Sequence, residues 1–283
     1  MSDRERTMGV HELPSQSDST PNEPPKARVG KTLLETLRIL WDQLGLMLAV
    51  SLTWTFIMSL PFSVERALPR GAPQWIHLLA FCLVPVVSAL PTCGVFSLAH
   101  RVVAHEEAGY SHLWQDGVAM FGVALRLILL QAAVAAILGV SIWFYLRSNL
   151  WVSKAALTVS CYSALVWVMM LVYQWPALIA QEKGLFDEPD RAAKRGALAA
   201  IRRSFYLALG RPFFTLALLA FLIPATIAMA VTVVVPALLW IGAVALVSTL
   251  ATRALLVEFR VIPAPVQAEP VADELFRLPE IRR

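Results

Sequence analysis

From position 212 to position 252 the chain runs for 41 residues without one Asp, Glu, Lys or Arg. A helix in water carries polar and charged residues along its outer face, turn after turn. A stretch this long without them dissolves only in lipid or inside a very large core. A chain of 283 residues is too short to build that core. Composition points the same way: 58% of residues are hydrophobic and 16% are charged, against about 25% charged in an ordinary soluble domain. The expected fold class is therefore all-α, a polytopic transmembrane helical bundle.

As a single helix the charge-free stretch would be about 61 Å long, roughly twice the ~30 Å hydrocarbon core. It must fold back, and Pro236, preceded by the β-branched run 232–235, is the expected turn. The same length rule marks further spans at 44–62, 75–98, 118–146 and 155–180, about six in all. A break is expected at Pro91-Thr92-Cys93-Gly94. The span carrying Arg126 is expected to begin near Leu127, its earlier part lying along the interface. Residues 1–30 are polar and lack an apolar run of signal-peptide length, so they read as a disordered cytoplasmic tail. Residues 31–43 read as an amphipathic lead-in, 44–259 as the transmembrane domain and 260–283 as a flexible cytoplasmic tail.

Orientation follows from where Lys and Arg collect beside the spans. Lys26, Arg28, Lys31 and Arg38 precede the first span. Lys183, Arg191, Lys194, Arg195, Arg202, Arg203 and Arg211 lie between the fourth and fifth, and Arg253 and Arg260 end the last. The opposite side holds only Arg66, Arg70, Arg147 and Lys154. Both termini are thus expected in the cytoplasm, as in a multi-pass protein of the bacterial inner membrane. The net charge of +4 is accounted for by these flanks and calls for no nucleic-acid partner.

The sequence offers no catalytic site, cofactor motif or metal site, and the expectation is a non-enzyme. Cys82, Cys93 and Cys161 all sit in apolar runs, and the odd count excludes a full disulfide framework. His100, His105 and His112 lack the four-residue spacing of a helical zinc pair. Gly30-Lys31-Thr32 imitates the end of a phosphate-binding loop, but Pro25 stands where its first glycine belongs. No span centre holds a charged residue, which disfavours proton-coupled transport. Gln131, Gln174 and His77 are expected to act as packing or interface residues, and Ala135 and Gly139 as small contact residues between helices.

Two loops stand out as an interaction surface. The first, 99–117, presents Glu106, Glu107, Tyr110 and Trp114. The second, 190–211, places Arg195, Arg202 and Arg203 around a stripe of Leu198, Ile201, Phe205 and Leu209. Ala104-His105-Glu106-Glu107-Ala108-Gly109 also faintly echoes Ala180-Gln181-Glu182-Lys183-Gly184, as two related hairpins would.

The order of features resembles the YesL-like family of bacterial membrane proteins. The resemblance rests on Trp54 followed by Leu60-Pro61, on Pro91-Thr92-x-Gly94, and on Glu106-Glu107-x-Gly109-Tyr110. It continues with Trp175-Pro176-Ala177-Leu178-Ile179-Ala180 and the elbow ending Gly210-Arg211-Pro212. The connection from Pro61 to Gly94 is longer here than in that family. The resemblance implies a polytopic protein associated with carbohydrate ABC importers and without an established activity. The expected function is a non-catalytic accessory protein, contacting a transporter subunit or regulator on the cytoplasmic side. The alternative is a transporter of an uncharged solute, built on helices broken at Pro85, Pro91 and Pro224.

Overall fold

The computed structural model describes residues 27–69, 73–148, 150–186, 196–232 and 235–262. They form nine helices, with no strand among the described residues. Amphipathic α1 (Val29–Asp42) is joined through Gln43 to α2 (Leu44–Ala67), which is followed by α3 (Gln74–Val103). The order recurs as α4 (Tyr110–Ala119), Met120, α5 (Phe121–Arg147) and α6 (Trp151–Glu182). It recurs again as α7 (Ala197–Gly210), Arg211, α8 (Pro212–Thr232) and α9 (Val235–Glu258). Helices α2, α3, α5 and α6 and the Leu239–Glu258 part of α9 are long and apolar enough to cross a membrane. The α7–α8 pair, bent by 99°, makes a sixth candidate. The chain is a multi-pass helical membrane protein.

Each unit is a short elbow helix followed by an apolar hairpin, and each ends in the same way. His105, Gly184 and Arg260 adopt left-handed backbone with φ of 58°, 74° and 58°. The next N–H then closes back on the helix: Glu106 to the Arg101 carbonyl at 3.0 Å, Leu185 to Ala180 at 3.0 Å and Val261 to Leu256 at 2.9 Å. This closure satisfies carbonyls that a helix end otherwise leaves without partners.

The packing is cyclic. Helices α3, α6 and α9 touch one another at the centre, with α2, α5 and α8 outside them. Each elbow packs on the inner helix of the preceding unit: α4 on α3, α7 on α6, and α1 on α9, which closes the ring. Each outer helix likewise packs on the preceding inner helix, α5 on α3, α8 on α6 and α2 on α9. Phe96 and Trp175, each nine residues before its unit's left-handed residue, stack at the centre with ring centroids 5.8 Å apart. The residue at the same position in the third unit, Ala251, is fully buried.

In the elbow helices α1 and α7 mostly small residues face inward and bulky apolar ones outward. In α1 Thr32 and Thr36 are buried while Leu34 and Trp41 are 71% and 77% exposed. In α7 the face against α6 is Ala197, Ala200, Ser204, Leu207 and Ala208. Of the expected stripe, Leu198, Phe205 and Leu209 are exposed and Ile201 is half-buried. Lipid rewards no burial of apolar surface between helices, so close backbone approach through small residues must supply the attraction. It is closest between α3 and α4. A Cβ at Gly94 would lie 2.3 Å from the Leu113 carbonyl oxygen, and one at Gly117 would lie 2.9 Å from that of Leu90.

Several expectations need correction. Helix α3 runs unbroken through Pro85 and Pro91, and α8 through Pro224. A transmembrane helix interrupted there would strand backbone groups in lipid, and surrounding structure tolerates a lost proline donor more easily. Helix α5 runs without a break from Phe121 to Arg147, with Arg126 exposed in its second turn. Ala135 and Gly139 are exposed, and Gly139 has open space where a Cβ would stand, so neither packs helices within this chain. The lead-in helix begins at Val29, two residues before the expected start. The junction near Pro236 is as expected: α8 ends at Thr232 and α9 begins at Val235, placing the proline in a first turn, where a missing N–H costs little. The hairpin likeness becomes a three-unit order in which His105 corresponds to Gly184 by backbone, not by the Ala-x-Glu letters. The tails expected at 1–30 and 260–283 lie almost entirely outside the described residues.

Gly94→Ala is expected to cost about 1–3 kcal/mol through overpacking against a backbone oxygen. Gly139→Ala is expected to leave stability unchanged or raise it by up to about 1 kcal/mol through helix propensity. Unfolding of both purified variants in one detergent, followed by the loss of helical circular dichroism, measures the contrast.

Candidate functional site

The polar groups that the chain brings together lie at the elbow end of the bundle. On α3, Ser97 and Arg101 are four apart and face the same side, toward Asp116 of α4. Ser97 Oγ donates to Asp116 Oδ2 at 2.6 Å. Arg101 donates through Nε to Oδ2 at 2.9 Å and through Nη2 to Oδ1 at 3.1 Å. A planar guanidinium meets a carboxylate edge-on in this way, and both partners are only part-exposed. Burial works to raise the Asp116 carboxyl. The hydrogen bonds from Arg101 and Ser97, with the Arg101 charge, outweigh it and hold the group below its ordinary range.

The network continues into the loop and the next unit. Glu106 Oε2 lies 3.8 Å from Arg101 Nη1 and accepts from Lys183 Nζ, at the end of α6, at 3.3 Å. Arg203 of α7 donates to Gln181 Oε1 at 2.7 Å and lies 4.1 Å over the Phe186 ring. Arg211 pairs with Glu258 of α9, whose Oε2 also accepts the Ala27 N–H at 3.1 Å. That last bond sets the start of α1 beside the end of α9. Each elbow is thus tied to the preceding inner helix or to its end by a polar contact.

The expected interaction residues divide into two sets. Glu106 and Arg203 hold the bundle together. Tyr110 is exposed, but its hydroxyl shares a hydrogen bond of 2.9 Å with Thr53 of α2. Glu107, Trp114 and Arg202 are exposed on this face, with Arg202 Cζ 5.8 Å from the Tyr206 ring centroid. Arg195 lies outside the described residues. The residues missed were Asp116 as the clamp, Gln181 as the α7 anchor, and Arg253. The Ser97–Arg101 spacing opposite a lone α4 carboxylate was the available signal for Asp116. For Gln181 and Arg253 the sequence carried none, because their partners are distant in the chain.

Deeper in the bundle the inner helices are closed by the Phe96–Trp175 stack. A cavity of about 140 Å³ lies near it on the elbow side, lined by His100, Pro176, Thr249, Thr252 and Arg253 among others. Gln131 donates to Gln174 at 2.6 Å, pinning α5 to α6. His77 and Glu65 approach to 3.8 Å at the opposite end. Among the described residues no group of three His, Cys, Asp or Glu is placed to hold a metal, and the three cysteines are unpaired.

The fold and this face define a multi-pass membrane protein of cyclically packed helical hairpins. No family model, no curated protein and no solved structure matches the chain.

Because Asp116 is held below its ordinary carboxyl value of about 3.8, its contribution to stability is present above that value and is lost as pH falls from it through the lower folded-state value. Asp116→Asn is expected to destabilise the protein at pH 7 by about 1–3 kcal/mol. The wild type should lose that margin on acidification below about pH 4, so the two melting curves converge. Melting temperatures of both proteins from pH 7 to pH 3 measure this; parallel curves would rule out the Asp116 clamp as a source of stability.

Proposed function

We propose that the chain is a non-catalytic accessory protein of a membrane transport system. In this reading the elbow face is cytoplasmic, both described ends of the chain lie on that side of a bacterial inner membrane, and the partner is a transporter subunit or regulator. The family resemblance would make that partner a carbohydrate ABC importer. The observation that carries the reading is the one-sided placement of polar groups. Paired and exposed charge collects at the elbow end, while the inner helices meet through a stacked aromatic pair. The Lys and Arg bias of the same end supports a cytoplasmic position.

The alternative, transport of an uncharged solute, is weakened by the continuity of α3 and α8 through their prolines. What still favours it is the small elbow-side cavity beside the Phe96–Trp175 stack.

Crosslinking and affinity purification from native membranes distinguishes the two. The informative variant is Glu107→Arg with Trp114→Ala and Arg202→Glu, which spares the Glu106–Lys183 and Arg203–Gln181 pairs. Under the accessory reading, wild type captures a transporter subunit or regulator, and the triple variant loses most of that capture at equal expression. Absence of any such partner in the wild-type sample would sink the accessory reading. Uptake of neutral solutes, with and without Trp175→Ala, would then test transport.

A further inference from the structure

The three joints between elbow and inner helix differ in how they answer their cations. At the α3–α4 joint Arg101 is neutralised by Asp116, and beside it Lys183 pairs with Glu106. At the α6–α7 joint Arg203 donates to the Gln181 amide oxygen, and Arg211, at the α7–α8 break, pairs with Glu258. The α9–α1 joint is different. A cavity of about 230 Å³ opens there, lined by Arg28 and Lys31 of the α1 end and Arg253 of α9, with His105 and Glu35 also on its wall.

None of these three cations has a carboxylate partner among the described residues. Arg253 donates to the Val103 carbonyl oxygen, one bond for a group that carries five N–H donors. It is half-buried, whereas Arg28 and Lys31 stand at the rim. Glu35, the one carboxylate on the lining, forms no ion pair among the described residues. The first turn of α1, which no side chain caps, borders the same space. Three cations around one cavity repel one another unless an anion joins them, whereas Arg101, Lys183 and Arg211 at this end are answered by the chain's own carboxylates.

We infer that the α9–α1 cavity binds a phosphate group, held by Arg253 from the inner helix and by Arg28 and Lys31 from the elbow. Arg253 offers a fork of donors that fits two phosphate oxygens, and Lys31 adds a mobile point charge. The position favours the phosphate of an anionic lipid. Leu34, Leu37 and Trp41 are exposed on the other flank of α1, beside an apolar cavity of about 410 Å³ shared with α8 and α9. Those side chains set α1 at the lipid surface, level with headgroups. A soluble phosphorylated compound is the other source of the same group.

The test uses the full chain, purified in a neutral detergent and mixed with phosphatidylglycerol or phosphatidylcholine, with bound lipid counted by native mass spectrometry. Phosphatidylglycerol should be retained in preference to phosphatidylcholine. Arg28→Gln with Lys31→Gln, both at exposed positions, should lower that retention roughly thirtyfold, at about 1 kcal/mol of attraction for each basic residue. Arg253→Gln alone should lower it roughly fivefold. Arg38→Gln, on α1 but away from the cavity lining, should leave retention unchanged. Inorganic phosphate added as competitor separates the sources. Release of the lipid at millimolar phosphate would assign the site to soluble phosphate compounds, and retention would assign it to the lipid. Equal retention of both lipids without phosphate binding, or an Arg38→Gln loss as large as that of the double variant, would overturn the site.

Discussion

The approach of the Leu113 carbonyl to Gly94 is the contact on which the architecture most depends. It leaves no room for a side chain on α3 and brings two backbones together where lipid offers no reward for burying apolar groups. Once α4 lies this close, Asp116 comes within reach of Ser97 and Arg101, and the elbow is clamped by charge as well as by contact. The same logic, with weaker chemistry, seats α7 on α6 through alanines and a serine and α1 on α9 through two threonines. Leu34, Leu37 and Trp41 of α1 and Leu198, Phe205 and Leu209 of α7 are then left facing outward, where lipid accepts them without cost.

Three elbow-and-hairpin units packed in a ring are a symmetric scaffold, and symmetry alone makes no site. What distinguishes the joints is the chemistry placed in each. The α3–α4 joint is closed by a carboxylate and the α6–α7 joint by an amide. The α9–α1 joint is left open with three cations around it. At the centre, α3 and α6 meet through the Phe96–Trp175 stack, whereas α9 carries the small Ala251 at the same position of its unit.

Much of the candidate surface was legible residue by residue but not as a surface. Glu106, Glu107, Tyr110, Trp114, Arg202 and Arg203 were visible as polar and aromatic groups beside apolar spans. Nothing in their spacing separated Glu107 and Trp114, which are exposed, from Glu106 and Arg203, which are committed to Lys183 and Gln181. The prolines misled for a related reason. Pro85 and Pro91 weaken a helix locally, yet whether it breaks depends on the packing around it, and α3 is the helix most enclosed by its neighbours.

The sequence by itself determined that this is a helical membrane protein, where its spans lie, and that the charge-free stretch folds back near Pro236. Hydrophobicity and charge act cumulatively along the chain, so a length of apolar residues commits to lipid whatever its neighbours do. Only the tertiary structure decided that three units close into a ring, which face of each elbow turns inward, and which cations have partners. Those outcomes depend on distances between residues far apart in the chain, such as Arg253 and Val103 or Ala27 and Glu258. No local pattern encodes them.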